Sequence, residues 1–342
     1  MKQAIMAALA AALLWAVLPL LTAAGTAVQV PPAQRVQAAE TEAGTGTEEQ
    51  QDTQAPARED PAAEAPDGGF DAAFSLPVLT DRGVVSMDLR SYLTGVLLAE
   101  MPASFAPEAQ KAQAVACRTY ALRSYTHRRH DGAAVCTDSA CCQGWTDPER
   151  AGAEARAAAE QAVRETDGLA IYYGGALIDA TFFSCSGGQT EAAAAVWGSD
   201  LPYLQPVVSP GEEDAAHFRD RTAFSLDEFR AILAGADGAV EFPAERGAWV
   251  GSISYTPGGG VDTAVLGGRA FTGKQLRKLF SLRSTAFSLE LTDDEAIFLT
   301  RGSGHRVGMS QYGANAMAKT GKRFDEILRW YYQGVEIRQA DG

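Results

Sequence analysis

Cationic charge is scarce in this 342-residue chain: 29 Lys and Arg stand against 43 Asp and Glu, a formal net charge of −14. Recognition of nucleic acid by neutralising phosphates needs the opposite balance, which argues against that class of partner. Histidine is scarcer still, at four residues. The Gly-rich run from Arg301 to Gln311 enters a helix but has no Lys-Ser/Thr ending and no βαβ context. It is therefore not a nucleotide cradle. The composition is neither fibrous nor wholly disordered, and the length suits one large domain or two small ones with a substantial core.

What is present divides into three stretches. Residues 1–30 form a targeting segment: Lys2 is the only cation before Arg35, and residues 5–21 are almost wholly apolar, long enough to cross a bilayer. The expectation is a retained single span with Lys2 on the cytosolic side; small residues at 22–27 leave a cleaved signal as the alternative. Either way the body of the protein lies outside the cytoplasm. Residues 31–70 are a linker of Ala, Glu, Gln, Thr and Pro without apolar periodicity, unable to bury enough surface to offset its ordering entropy. Residues 71–342 form the folded domain.

The most informative part of that domain runs from Tyr92 to Tyr125. Leu93, Val96, Leu97 and Met101 recur at helical spacing after Ser91, a plausible N-cap, and Pro102 stops that helix near Met101. Pro107 suits the first turn of a second helix, which runs without Gly or Pro to about Arg128. It carries a small-residue stripe, Ala109, Ala112, Ala116 and Thr119, and a second stripe with the cations Lys111 and Arg118. Glu100 lies at the corner, ending an apolar run at a helix C-terminus. Desolvation and the negative end of the helix dipole both disfavour its charged form, which suits a general acid. Lys111 or Arg118 nearby would act in the opposite sense. A corner Glu that caps the next helix or pairs with one of those cations is the alternative reading.

Two strand-like runs around a turn at Thr80–Gly83 precede this corner. Asp147 is expected to cap a third helix, and LAIYY and ALIDATFFS flank Gly174-Gly175 as a hairpin. That hairpin delivers Ser186 and Gly187, where paired glycines let a ligand approach the backbone, or simply turn the chain. Trp197 and Tyr203 suit stacking on sugar rings and equally suit a core. Ser225 and Glu228 form a capping box, residues 249–256 and 261–271 a further hairpin, and Thr272 starts a basic helix. Together these elements predict an α+β fold, a helical corner carrying the Glu packed with antiparallel hairpins, with room for two subdomains.

His130, Cys136, Cys141 and Cys142 place four soft ligands within thirteen residues. Zinc prefers thiolate and imidazole, although the spacing is not that of a standard finger. A disulfide is the alternative in an extracytoplasmic chain. Four protein ligands would leave no open position for water, which weakens a zinc-hydrolase reading. Cys117 and Cys185 read as small core residues.

The run GVLLAEMPASFAPEAQKAQAVACRTYAL resembles the signature segment of the stage II sporulation protein D family, as do Ser186–Leu204 and Gly302–Ala314 in the same order. The resemblance covers roughly residues 84–337. It implies a peptidoglycan lytic transglycosylase of endospore engulfment, acting on glycan strands stripped of stem peptides. Glu100 is then the single catalytic carboxyl: it protonates the glycosidic oxygen, and the sugar's C6 hydroxyl closes a 1,6-anhydro ring. Glu191 is the candidate for the second carboxylate that a hydrolase would want. Lys111, Arg118, Ser186, Gly187, Tyr203, His305 and Gln311 are assigned to the substrate cleft. Some family members bind zinc in the 130–142 loop and others lack the ligands, which implies a structural metal; Cys141 stands where the zinc-bearing members have His. The family usually has Gly where Arg306 stands. Stage II sporulation proteins P and M are the implied partners. A non-catalytic wall-binding amidase enhancer is the competing function.

Overall fold

A computed structural model describes residues 68–341, so the expected membrane segment and nearly all of the linker lie outside the described residues. Among the described residues, no helix is long and apolar enough to cross a membrane. After a helical turn, α1 (Phe70–Ala73), strands β1 (Ser75–Thr80) and β2 (Gly83–Asp88) pair antiparallel, with Thr80 opposite Gly83 at the turn. Helix α2 (Leu89–Glu100) follows directly. Its cap is Asp88, whose carboxylate accepts from the Ser91 N–H at 2.9 Å. Ser91, the expected cap, lies inside the helix because helical backbone begins at Leu89. Met101 is extended, as the following proline requires, and ends the helix at Glu100.

Helix α3 (Pro107–Thr126) has Pro at its first position and buries the whole small-residue stripe. The stripe admits β4 (Leu169–Tyr173) so closely that the Ile171 N–H donates to the Thr119 hydroxyl at 3.0 Å. Strand β3 (Val135–Cys136) joins β1 in parallel. Asp147 caps only a single 3₁₀ turn, Pro148–Arg150; the chain extends at Ala151, and α4 (Ala153–Glu165) starts afresh from Gly152. The expected hairpin forms as β4 with β5 (Ala176–Leu177), but its second arm then leaves the sheet. Phe182–Phe183 becomes β6 in a different pairing, parallel to β13 (Met309–Ser310).

Beyond α5 (Ala193–Trp197) the chain builds a second body before returning to the first. It comprises β7 (Arg219–Ser225), α6 (Leu226–Ala236), β8 (Val250–Tyr255), β9 (Val261–Leu266), β10 (Arg269–Thr272), α7 (Gly273–Leu279), β11 (Phe287–Leu291) and β12 (Glu295–Arg301). Its sheets run β10-β9-β8 and β11-β12-β7, wholly antiparallel. Both helices start with the capping boxes, Ser225/Glu228 and Thr272/Gln275. Phe229, Leu233, Phe280, Phe287 and Phe298 form its own apolar core, separate from the two clusters of the first body. The chain then runs through β13 into α8 (Gln311–Lys319), α9 (Phe324–Tyr331) and β14 (Glu336–Gln339), which pairs with β4. The fold is α+β.

Candidate functional site

Glu100, at the last position of α2, is half-buried, and one backbone group reaches its carboxylate: the Gly144 N–H donates to Oε1 at 2.6 Å. Burial raises the Glu100 pKa above its ordinary 4.5, and the Gly144 N–H opposes that only in part. Among the described residues no donor reaches Oε2 and no cation pairs with Glu100. The Glu100 carbonyl, one of the orphan acceptors at the helix end, takes a hydrogen bond from Nε2 of Gln311 at 2.9 Å. Gln311 thus comes from the far end of the chain to hold the corner.

The loop that supplies Gly144 is seated on α2 by a residue that gave no signal in the sequence. A Cβ at Gly95 would lie 2.1 Å from the indole nitrogen of Trp145, so only Gly leaves room for that ring. The Thr146 N–H then donates to the Gly95 carbonyl at 3.0 Å. A Cβ at Gly144 would come within 3.0 Å of Oε1 of Glu100, so close approach matters here as well.

The two cations expected beside Glu100 are engaged elsewhere. Lys111 lies between Glu108, at 2.7 Å, and Glu165, at 2.6 Å. Arg118 is fully buried, paired with Asp71 at 2.6 Å and donating to Thr166 and to the carbonyls of Val163 and Leu169. Its donors are used up inside the core, so it has none to offer a substrate. The face of α3 carrying both cations turns toward α1 and α4 rather than toward the corner.

Ser186 and Gly187 wrap around a carboxylate that the sequence did not single out. Oε2 of Glu212 accepts from the Ser186 N–H at 2.7 Å, the Ser186 hydroxyl at 2.9 Å, the Gly187 N–H at 3.2 Å and the Cys185 thiol at 3.2 Å. Its Oε1 accepts from Ser209, which also meets the Tyr331 hydroxyl. Glu212 sits in a polar Gly-Glu-Glu-Asp run, which reads locally as a solvated loop, yet it is 1% exposed.

Tyr203 is also largely buried; its hydroxyl accepts from the Asp179 N–H at 3.1 Å. His305 lies between Phe183 and the half-exposed Trp197, with Nδ1 accepting from the Val307 N–H at 3.1 Å. Burial first, then the Arg277 charge, pushes its pKa down to about 4, so the ring is neutral at ordinary pH. Arg306 has φ +65°, a left-handed conformation that suits Gly. Its buried side chain spans the two bodies, donating to the carbonyls of Ser186, Gln189 and Gly258. Glu191 completes that junction: 1% exposed, it accepts from the N–H groups of Ala192, Gly258 and Gly260 and from the Thr256 hydroxyl. It is a joint between bodies.

His130, Cys136, Cys141 and Cys142 converge, with their ligand atoms all within 4.8 Å of one another. All four cysteine and histidine side chains could serve one ion after a small contraction, since zinc bonds of ~2.0–2.3 Å place tetrahedral ligands roughly 3.3–3.8 Å apart. None of the five cysteines is in a disulfide. Cys117 and Cys185 are buried, as read from the sequence.

The fold and site define a two-bodied α+β protein in which a half-buried carboxyl at a helix end stands beside a Cys/His loop. The family model described as "SpoIID: Stage II sporulation protein" matches residues 81–173. The chain is 36% identical over 280 residues to "Stage II sporulation protein D" of Bacillus subtilis (strain 168), covering 78% of this chain and 80% of that protein. It is 36% identical over 288 residues to the protein of the same name from Bacillus amyloliquefaciens, covering 79% and 80%. It is also 27% identical over 293 residues to the "Amidase enhancer" of Bacillus subtilis (strain 168), covering 72% of this chain and 40% of that protein. The chain belongs to the stage II sporulation protein D family.

Proposed function

We propose that the protein is an extracytoplasmic peptidoglycan lytic transglycosylase of sporulation, cutting stripped glycan strands to 1,6-anhydro ends. The observation that carries this reading is the isolation of Glu100: a carboxyl with a raised pKa, one oxygen held by Gly144, and the other without a donor among the described residues. With Oε1 accepting a hydrogen bond, the proton of the neutral acid belongs on Oε2. That oxygen protonates the glycosidic oxygen as the C1–O bond breaks and positive charge develops at C1. The C6 hydroxyl of the same sugar then bonds to C1, and Oε2 takes back its proton. Atoms balance without water, so no second carboxylate is required. The burial and full engagement of Glu191 support a single-carboxyl scheme over a two-carboxylate hydrolase.

His130, Cys136, Cys141 and Cys142 would hold zinc as a structural ion that ties the loop before Gly144. Its contribution is to folding. Glycan strands are the substrate, stage II sporulation proteins P and M the partners, and residues 1–30 the membrane attachment. The deciding experiment is mass analysis of products from stripped glycan. Anhydro ends support the scheme; reducing ends would replace it with hydrolysis. The likeness to a protein named as an amidase enhancer favours a second reading, a non-catalytic stimulator of an amidase. It predicts no glycan cleavage by the isolated protein.

A further inference from the structure

The three cysteines that converge on His130 differ in exposure and in how firmly the fold holds them. Cys136 ends β3 and is buried, Cys142 is part-buried, and Cys141 is exposed. Nε2 of His130 lies 3.2 Å from the Cys142 sulfur and 3.8 Å from the Cys141 sulfur. The Cys136 and Cys141 thiols are in hydrogen-bond contact. Cys136 is fixed by the sheet, because β3 pairs with Val78 and Leu79 of β1. Cys141 and Cys142 sit on a short turn whose N–H groups both donate to the Asp138 carbonyl, at 3.0 and 2.8 Å. A surface thiol on a turn thus touches a buried thiol on a strand.

An exposed sulfur is the one that a bulky reagent reaches, and access with thiolate character is what attack on a disulfide needs. Cys142 cannot complete the exchange with its neighbour. Consecutive Cα atoms are ~3.8 Å apart, short of the ~4.4–6.8 Å that a disulfide spans. Cys136 is already in contact and escapes that restriction. We propose that Cys141 is a site of thiol–disulfide exchange, which joins it to Cys136 and opens the zinc site. The co-reactant is a disulfide, the oxidised form of a small thiol outside the cytoplasm. The Cys141 thiolate attacks one sulfur of that reagent; its S–S bond breaks, and the departing thiolate takes a proton from water. The Cys136 thiolate then attacks the Cys141 sulfur, and the second thiolate of the reagent departs and is protonated likewise. Two protein thiolates are oxidised while one disulfide is reduced to two thiols, and a dithiol reverses both steps. His130 and Cys142 are then the only ligands left, too few to retain the ion. Gly144 follows on the same loop, so freeing the turn loosens the N–H that holds Glu100. The exchange site rests on the zinc reading above, and its effect on cleavage rests also on the role proposed for Glu100.

The test adds glutathione disulfide to the full protein purified under reducing conditions. Zinc is followed with a chromogenic chelator, and the cysteines are mapped by mass spectrometry. The reduced protein should carry about one zinc per chain. Exposure should release it as a Cys136–Cys141 bond forms, and dithiothreitol with added zinc should reverse both changes. Cys141→His keeps four ligands but removes the exposed thiolate, so it should bind zinc and release it at least about tenfold more slowly. Cleavage of stripped glycan by the parent should fall by roughly tenfold on oxidation and return on reduction, because small displacements at a catalytic group are costly. Zinc retained by the oxidised parent, release from Cys141→His at the parental rate, or a Cys136–Cys142 bond that leaves Cys141 free would overturn the proposal. Reduced protein without zinc would remove the zinc reading and this proposal with it. Disulfide-driven release from a protein that yields no anhydro product would uphold the exchange site while removing the cleavage reading.

Discussion

Glu100 and Gly144 stand 44 residues apart in the chain and meet at 2.6 Å, a backbone N–H held against one oxygen of a half-buried carboxyl. That contact assigns different tasks to the two oxygens. Glu100→Gln can still present a carbonyl oxygen to Gly144, so the corner should keep its geometry while losing the transferable proton. Cleavage of stripped glycan should fall by roughly a hundred- to ten-thousand-fold, with unchanged circular dichroism and glycan binding. Near-normal turnover in this variant would refute the role of Glu100.

The same raised pKa gives two pH dependences. An acid must be protonated to act, so the alkaline limb of the cleavage profile should lie above the ordinary Glu value of 4.5. His305, held near 4, should add no limb around 6.5. For stability, a raised carboxyl pKa means that the folded state binds the proton more tightly than the unfolded state. Its contribution is full at low pH and is lost as pH rises from 4.5 through the raised value. Glu100→Gln should therefore melt higher than the parent at neutral pH, with the gap closing toward pH 4.5. His305 works in the opposite sense: its contribution is present above 6.5 and lost as pH falls toward about 4. Melting temperatures across pH for the parent, Glu100→Gln and His305→Gln would check both windows.

Local features were legible in the sequence because the physics behind them is local. Pro102 and Pro107 marked the corner, Ser225 and Glu228 the capping box, and the 130–142 spacing the ligand cluster. The small-residue stripe of α3 announced close packing, but nothing within the helix said that Arg118 on its neighbouring face would meet Asp71, 47 residues away. Glu212 was hidden for the same reason, since its donors Ser186 and Gly187 lie 26 and 25 residues earlier. Glu191 was the candidate for a second carboxylate; its partners arrive from the second body, 65 to 69 residues on. Gly95 read as one apolar-run residue among others until Trp145 was placed over it.

Arg118 separates a structural cation from a substrate contact. Its pair with Asp71 is fully buried, and removing one partner would strand the other charge. Arg118→Met should cost on the order of 3–5 kcal/mol of stability in denaturant unfolding. KM for glycan, measured per folded molecule, should stay unchanged; a selective rise in KM would return Arg118 to the cleft.

Glu191→Gln tests the junction of the two bodies. The carboxylate accepts from two glycine N–H groups and the Thr256 hydroxyl, and the amide nitrogen of Gln would face one of those donors. The expected loss is about 1–3 kcal/mol in unfolding, with new proteolytic sensitivity near residues 256–260. Turnover per folded molecule should change by no more than a few-fold, because a C6 hydroxyl already in the substrate needs no second base. A loss equal to that of Glu100→Gln would argue for two-carboxylate hydrolysis.

Metal removal probes the loop that carries Gly144. If His130, Cys136, Cys141 and Cys142 hold zinc, the purified protein should carry about one zinc per chain by elemental analysis. Cys136→Ser should lower that content and the melting temperature together, because a structural ion contributes directly to folding. The ion would lie on the loop that reaches Glu100 two residues after Cys142, so the effect on chemistry should be indirect. In metal-depleted protein that remains folded, the Gly144 N–H would hold Oε1 less firmly. The alkaline limb of the cleavage profile should then move upward, since that hydrogen bond is what lowers the Glu100 pKa. A zinc that performed the chemistry would instead abolish turnover on chelation without moving the limb. Metal-free protein with a Cys136–Cys142 disulfide in its mass spectrum would replace the zinc site altogether.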